Sequence, residues 1–185
     1  MMLKRLIFLL FALIAYLIVH EGLHALIAVP FGEFSDFLVK PYGFEVIFVT
    51  PPAERSGTHW LFISGMSNFA TIILGYILLS QRERIAQIRI DFIRSLGYWV
   101  TLLFLLGDPA NLSIGPFIYG GDALGISLGS GINIYFIQAV FLVVFLVNRE
   151  LIAQYLLPAF RVETKHPLLL PWLRFRGTQS GGAHP

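Results

Sequence analysis

Two histidines four residues apart, His20 and His24, lie in an otherwise apolar run, with Glu21 directly after the first. On an α-helix, positions i and i+4 share one face, so both imidazoles can reach one metal ion. Glu21 then stands beside the first ligand, where a carboxylate can hold water and take its proton. Zinc suits this chemistry, because it lowers the pKa of its water toward ~7 and gives a nucleophile at neutral pH. The plainer reading is a polar helix face packed on Ser67 and Asn68 of a neighbouring helix. That leaves a carboxylate and two imidazoles without a partner in an apolar segment, which is costly. Zinc is therefore the preferred reading.

Catalytic zinc usually takes three protein ligands. Of the other histidines, His59 precedes the second apolar run and could reach the site, whereas His166 and His184 fall in the C-terminal tail. Two carboxylates, Asp108 and Asp122, lie between the third and fourth apolar runs and can each supply an oxygen.

The elements that must position these groups read as membrane helices. The chain has 185 residues, 56% hydrophobic and 13% charged, against about a quarter charged in soluble domains. With a mean hydropathy of +0.74 this excludes most soluble folds and any disordered reading. The first run, residues 6–30, opens after Lys4-Arg5 and is long enough to span a bilayer. No small-x-small cleavage site closes it, so it reads as a retained span rather than a signal peptide. Further runs cover residues 60–79, 95–106 and 134–147, the third of them short and followed by a Gly-rich stretch over 107–131. Between the first two runs, residues 37–41 and 42–50 read as short strands, a hairpin at the membrane surface. The expected fold is an all-α polytopic membrane protein with four transmembrane helices and a small β element. Residues 1–147 form the membrane core and 148–185 a cytoplasmic tail, with an amphipathic helix over 149–160 and a disordered end over 178–185.

Loop charges give the orientation. Lys4 and Arg5, then Arg82, Arg84, Arg89 and Arg94, then Arg149, Arg161, Lys165, Arg174 and Arg176 mark one side. The first loop has only Lys40 and Arg55, and the Gly-rich stretch has neither residue type, so both termini are expected in the cytoplasm. His20 stands 14 residues beyond Leu6, about 21 Å along the helix, on the outer side with both aspartates. The net charge of +2 is scattered, which argues against a nucleic-acid partner. Having no cysteine, the chain has no disulfide, thiol catalysis or Cys-ligated zinc.

Three islands over residues 19–128 resemble the site-2 protease family of intramembrane zinc metalloproteases. They are His20-Glu21-x-x-His24, then Gly65-Met66-Ser67-Asn68-Phe69-Ala70, then Asn111-Leu112 followed by Pro116 and Asp122. Met66 replaces a usual proline, the Asn111–Asp122 interval is long, and Ala123 replaces a usual glycine. The resemblance implies one zinc ion held by His20, His24 and Asp122, with Asp108 as the alternative third ligand, and Glu21 as the catalytic base. It implies a transmembrane protein as substrate, whose helix must unwind in the bilayer to offer its carbonyls. Residues 44–50 would hold the unwound segment by strand pairing. Asn68 and Asn111 would bind its backbone, unless they only join helix to helix. The Gly-rich stretch, with Gly115, Gly120, Gly121, Gly125 and Gly129, would be a re-entrant segment lining a water path. Family members usually set the site toward the cytoplasm, whereas the loop charges here set it outside.

Three other readings compete. A membrane zinc protease with a glutamate third ligand would need one of Glu33, Glu45, Glu54, Glu83, Glu150 or Glu163, none of which lies in a predicted span. A non-catalytic zinc-binding membrane protein, an inactive protease relative, would have no need of Glu21. An ion or proton conduit would want ionisable groups deep in several spans.

Overall fold

The computed structural model describes residues 2–40, 43–118 and 121–173. Gly120, Arg174, Arg176, His184 and the end expected to be disordered lie outside these. Helix α1 (Met2–Ala28) contains no proline and stops where Pro30 and Gly32 follow. Gly32 takes φ 71°, and the Glu33 N–H returns to the Ala28 carbonyl at 3.1 Å. Every fourth side chain of α1 from Ala12 onward (Ala12, Tyr16, His20, His24, Ala28) is buried. Leu3, Leu6, Leu10, Phe11 and Ile18 are exposed. The ionisable stripe thus faces the protein and the aliphatic faces look outward, the arrangement a membrane helix requires.

Strands β1 (Phe34–Lys40) and β2 (Gly43–Phe48) pair antiparallel, with Phe37 opposite Val46. β1 starts three residues earlier than expected, and β2 lies between β1 and α1. The Glu33 carboxylate accepts from the Thr50 N–H and hydroxyl at 3.1 and 2.9 Å and ties the end of the hairpin to the end of α1.

Helix α2 (His59–Ser80) packs on α1, and the short α3 (Arg82–Ala86) leads into α4 (Asp91–Ser113). Helix α5 (Gly121–Ser130) lies against α2, and α6 (Ile134–Leu151) against α4. Along α2 the buried face is apolar at both ends (Trp60 and Ile63, then Leu79) and polar between (Ser64, Ser67, Asn68, Thr71). Apolar clusters around Trp60 and around Leu79, Leu105 and Leu156 thus bracket a polar layer. Three helices are long and apolar enough to cross a membrane: Leu3–Phe31, His59–Ser80 and Ile134–Ala159. α4 is as long but more polar and is not among them.

Three expectations are corrected. The third run does not end at residue 106, because α4 continues through Gly107, Asp108 and Pro109. Pro109 lacks the N–H that would bond the Leu105 carbonyl, and Asn148 of α6 replaces it, its Nδ2 donating to Leu105 O at 2.7 Å. Asn148 Oδ1 accepts from the Tyr76 hydroxyl at 2.6 Å, so both ends of the amide are engaged. With that carbonyl satisfied, the helix need not break. Residues 107–113 of the Gly-rich stretch, expected to be a re-entrant segment, accordingly belong to α4, and its other described parts are a 3₁₀ turn (Gly115–Phe117) and α5.

The third correction concerns residues 149–160. They form no separate surface helix: α6 runs on through a π turn (Ile152–Leu156) to Leu157–Ala159. Arg149 and Glu150 pair at 2.5 Å with side chains only 8% accessible, and both hold the chain that returns beside them. Arg149 donates to the carbonyls of Pro167, Leu168 and Leu170 and covers the Trp172 ring at 3.9 Å. Glu150 accepts from the N–H groups of Trp172 and Leu173 at 3.1 and 3.0 Å.

Candidate metal centre

The stripe on α1 and the polar layer of α2 meet the first turn of α5. His20 Nε2 and His24 Nε2 are 3.2 Å apart. Asp122 brings Oδ2 to 3.4 Å from His20 Nε2 and Oδ1 to 3.3 Å from His24 Nε2. One donor atom from each of the three lies within 4.8 Å of the others, and both histidines are buried. Among the described residues no other His, Asp or Glu group converges in this way, and no glutamate joins this one.

The outer nitrogen of each ring bears on whether the inner atoms could hold a metal ion. His24 Nδ1 is 2.8 Å from the Ile63 carbonyl, which can only accept, so Nδ1 carries the proton. Ser67 Oγ lies within hydrogen-bond distance of both ring nitrogens, 3.1 Å from Nδ1 and 3.0 Å from Nε2. His20 Nδ1 faces Asp108 Oδ1 at 3.0 Å, outside straight hydrogen-bond alignment, and a proton there is likewise favoured. Both Nε2 lone pairs then point at each other and at a carboxylate. Acceptors crowded this closely are mutually repulsive until a positive charge sits among them. Two imidazoles and a carboxylate are also the donor set of a zinc site with one position left open.

The two aspartates therefore occupy different places. Asp108, within α4 and fully buried, is on the far nitrogen of His20, where it also accepts from the Tyr16 hydroxyl at 2.5 Å and from Thr71. Asp122 is on the inner side. The Nδ2 groups of Asn68 and Asn111, the two residues expected at the substrate, each donate to Asp122 Oδ2 at 3.0 Å and so hold the carboxylate. Asn68 Nδ2 also donates to Ser64 O at 2.7 Å. His59 does not reach the centre. Its Nε2 lies 3.5 Å from Glu33 Oε1, beyond the end of α1.

Glu21 is beside His20 in sequence, and its Oε2 accepts from the Val46 N–H at 3.1 Å. That N–H points away from β1, so the outer edge of β2 runs past Glu21. Sequence reasoning missed Tyr16 and Thr71. Tyr16 is four residues before His20 on the same stripe, and Thr71 follows Ser67 by four, so i+4 spacing from the polar residues already noted would have found both.

α5 comes close enough to place Asp122 because two of its buried positions, Gly125 and Gly129, have no side chain to hold it off α2. A Cβ on Gly129 would come within 2.1 Å of the Leu61 nitrogen, and one on Gly125 within 2.0 Å of Ser64 Oγ. Compared with family models, with characterised proteins and with solved structures, the chain gives no significant match in any of the three.

Proposed function

We propose that the protein is a zinc-dependent intramembrane endopeptidase, in keeping with its resemblance to the site-2 proteases. The observation that carries this reading is the convergence of His20 Nε2, His24 Nε2 and the Asp122 carboxylate beside Glu21 and the edge of β2. α4, 23 residues or about 35 Å long, is the fourth membrane span, its Asp108 turned inward toward α1 and α2. Both termini face the cytoplasm, by the distribution of Lys and Arg.

His20, His24 and Asp122 hold the ion, which when bound activates water and polarises the scissile carbonyl. Asp108 fixes the His20 ring and raises its basicity from behind, and the Ile63 carbonyl does the same for His24. Asn68 and Asn111 orient Asp122. Glu21 has one oxygen on Val46, and the other makes no hydrogen bond among the described residues, leaving it to take the proton of the attacking water and pass it to the leaving amine. The substrate is a transmembrane helix that unwinds to expose its carbonyls. Its extended segment adds to the outer edge of β2, which brings the scissile bond past Glu21.

The test is cleavage of a transmembrane reporter in proteoliposomes, with metal content measured in parallel. Glu21→Gln should keep about one zinc per chain and cut slower by on the order of 10²–10⁴-fold. A variant as fast as wild type would refute the mechanism, and a wild type that binds zinc but never cuts would leave a non-catalytic metal protein.

A further inference from the structure

A second site lies far along α1 from the metal centre. The first turns of α1 and α4 and the turn after α6 enclose a cavity of about 590 Å³. Four cations line it (Lys4, Arg5, Arg94 and Arg161) against two carboxylates, Asp91 and Glu163. Asp91 takes both Lys4, at 3.2 Å, and Arg94, at 2.6 Å. Arg5 and Arg161 make no ion pair among the described residues. The remaining wall is aromatic, with Tyr98 packed edge-on against Trp99 and tilted on Phe160, ring centres 5.0 and 5.2 Å apart.

Arg161 gives an independent indication. It closes the helix with two return bonds, from its own N–H to Pro158 O at 3.0 Å and from the Val162 N–H to Leu157 O at 2.9 Å. That motif puts its residue in the left-handed region and normally uses glycine. Arg161 is there at φ 53°, the one non-glycine residue with positive φ among those described. A strained arginine where glycine would fit freely points to a use for its guanidinium.

We propose that this cavity binds the headgroup phosphate of an anionic phospholipid, held by Arg5 and Arg161, with the aromatic wall against the start of its acyl chains. The excess of two positive charges selects an anion, and guanidinium groups suit phosphate oxygens. Exposed Leu3 and Leu6 beside the cavity place it where a membrane helix leaves the hydrocarbon, at the level of lipid headgroups. The site needs only the membrane helices and is independent of the metal centre.

The experiment measures retention of phosphatidylglycerol and phosphatidylcholine by the full-length, detergent-solubilised protein in native mass spectrometry. Wild type should prefer phosphatidylglycerol by about tenfold, and Arg5→Gln with Arg161→Gly should abolish the preference. Arg161→Gly alone removes the guanidinium while relieving the backbone, so it should retain or raise the melting temperature and still weaken the preference. Equal retention of the two lipids by wild type would overturn the proposal, as would an unchanged preference in both variants. Displacement of phosphatidylglycerol by millimolar inorganic phosphate would make it a site for free phosphate instead, and overturn the lipid assignment.

Discussion

Asp108 and Asp122 stand on opposite nitrogens of one imidazole: Asp108 Oδ1 is 3.0 Å from His20 Nδ1, and Asp122 Oδ2 is 3.4 Å from His20 Nε2. The two carboxylates that compete for one role in the sequence thus occupy two different places in the fold. An inner carboxylate can complete a ligand set, while an outer one fixes the tautomer and tilt of a ring.

That division predicts unequal losses of metal. Asp122→Ala and His24→Ala should each leave the purified protein without zinc. Asp108→Asn should bind it still, with affinity reduced by roughly 10–100-fold. Zinc content and competition with a chelator measure both. Loss with Asp108→Asn but not with Asp122→Ala would exchange the two assignments.

Tyr16→Phe tests the support behind Asp108. Removing the hydroxyl takes a 2.5 Å hydrogen bond from a buried carboxylate, a loss of about 1.5–3 kcal/mol. The melting temperature should fall, and zinc affinity should fall in the same direction as with Asp108→Asn. A full-affinity, full-stability variant would mean that the hydroxyl does not support the site.

Gly129→Ala tests the placement of Asp122 without touching a ligand. Its methyl group would meet the Leu61 backbone, so α5 must move away from α2. Overpacking of this kind costs about 1–3 kcal/mol. Zinc affinity should drop along with stability, whereas Gly22→Ala, with open space around it, should change neither packing nor metal.

Glu150→Ala tests the clamp on the returning chain. It leaves Arg149 buried without its partner and frees the N–H groups of Trp172 and Leu173. Breaking a buried pair from one side costs about 3–5 kcal/mol. Limited proteolysis should then cut within residues 163–173 faster than in wild type, with zinc content unchanged. Equal cutting rates would show that the clamp does not hold the segment.

The stop of α1 near Pro30, the limits of α2 and the hairpin between them follow from local chemistry. Long apolar runs make helices, and β-branched residues between breakers make strands. The i, i+4 histidines with Glu21 were legible for the same reason, since their relation lies within one helix. The end of the third helix was placed too early, at residue 106, because what carries it past Pro109 is not local: the carbonyl that the proline strands is satisfied by Asn148, 43 residues from Leu105 in the chain. The same holds for the polar pair Arg149 and Glu150, whose partners come from a segment about twenty residues further on.

The third donor shows the division most clearly. Sequence alone determined that two imidazoles share a helix face, and that two aspartates followed within reach. Which aspartate turns inward depends on the distance between helices. α5 approaches α2 closely because Gly125 and Gly129 set no side chain against Ser64 and Leu61, and that approach carries Asp122 to the Nε2 atoms. Asp108 is held on the far side of His20 by Tyr16 and Thr71, from two other helices. Spacing along one helix sets which side chains share a face, but contacts among four helices set which atoms meet, and only the tertiary structure contains them.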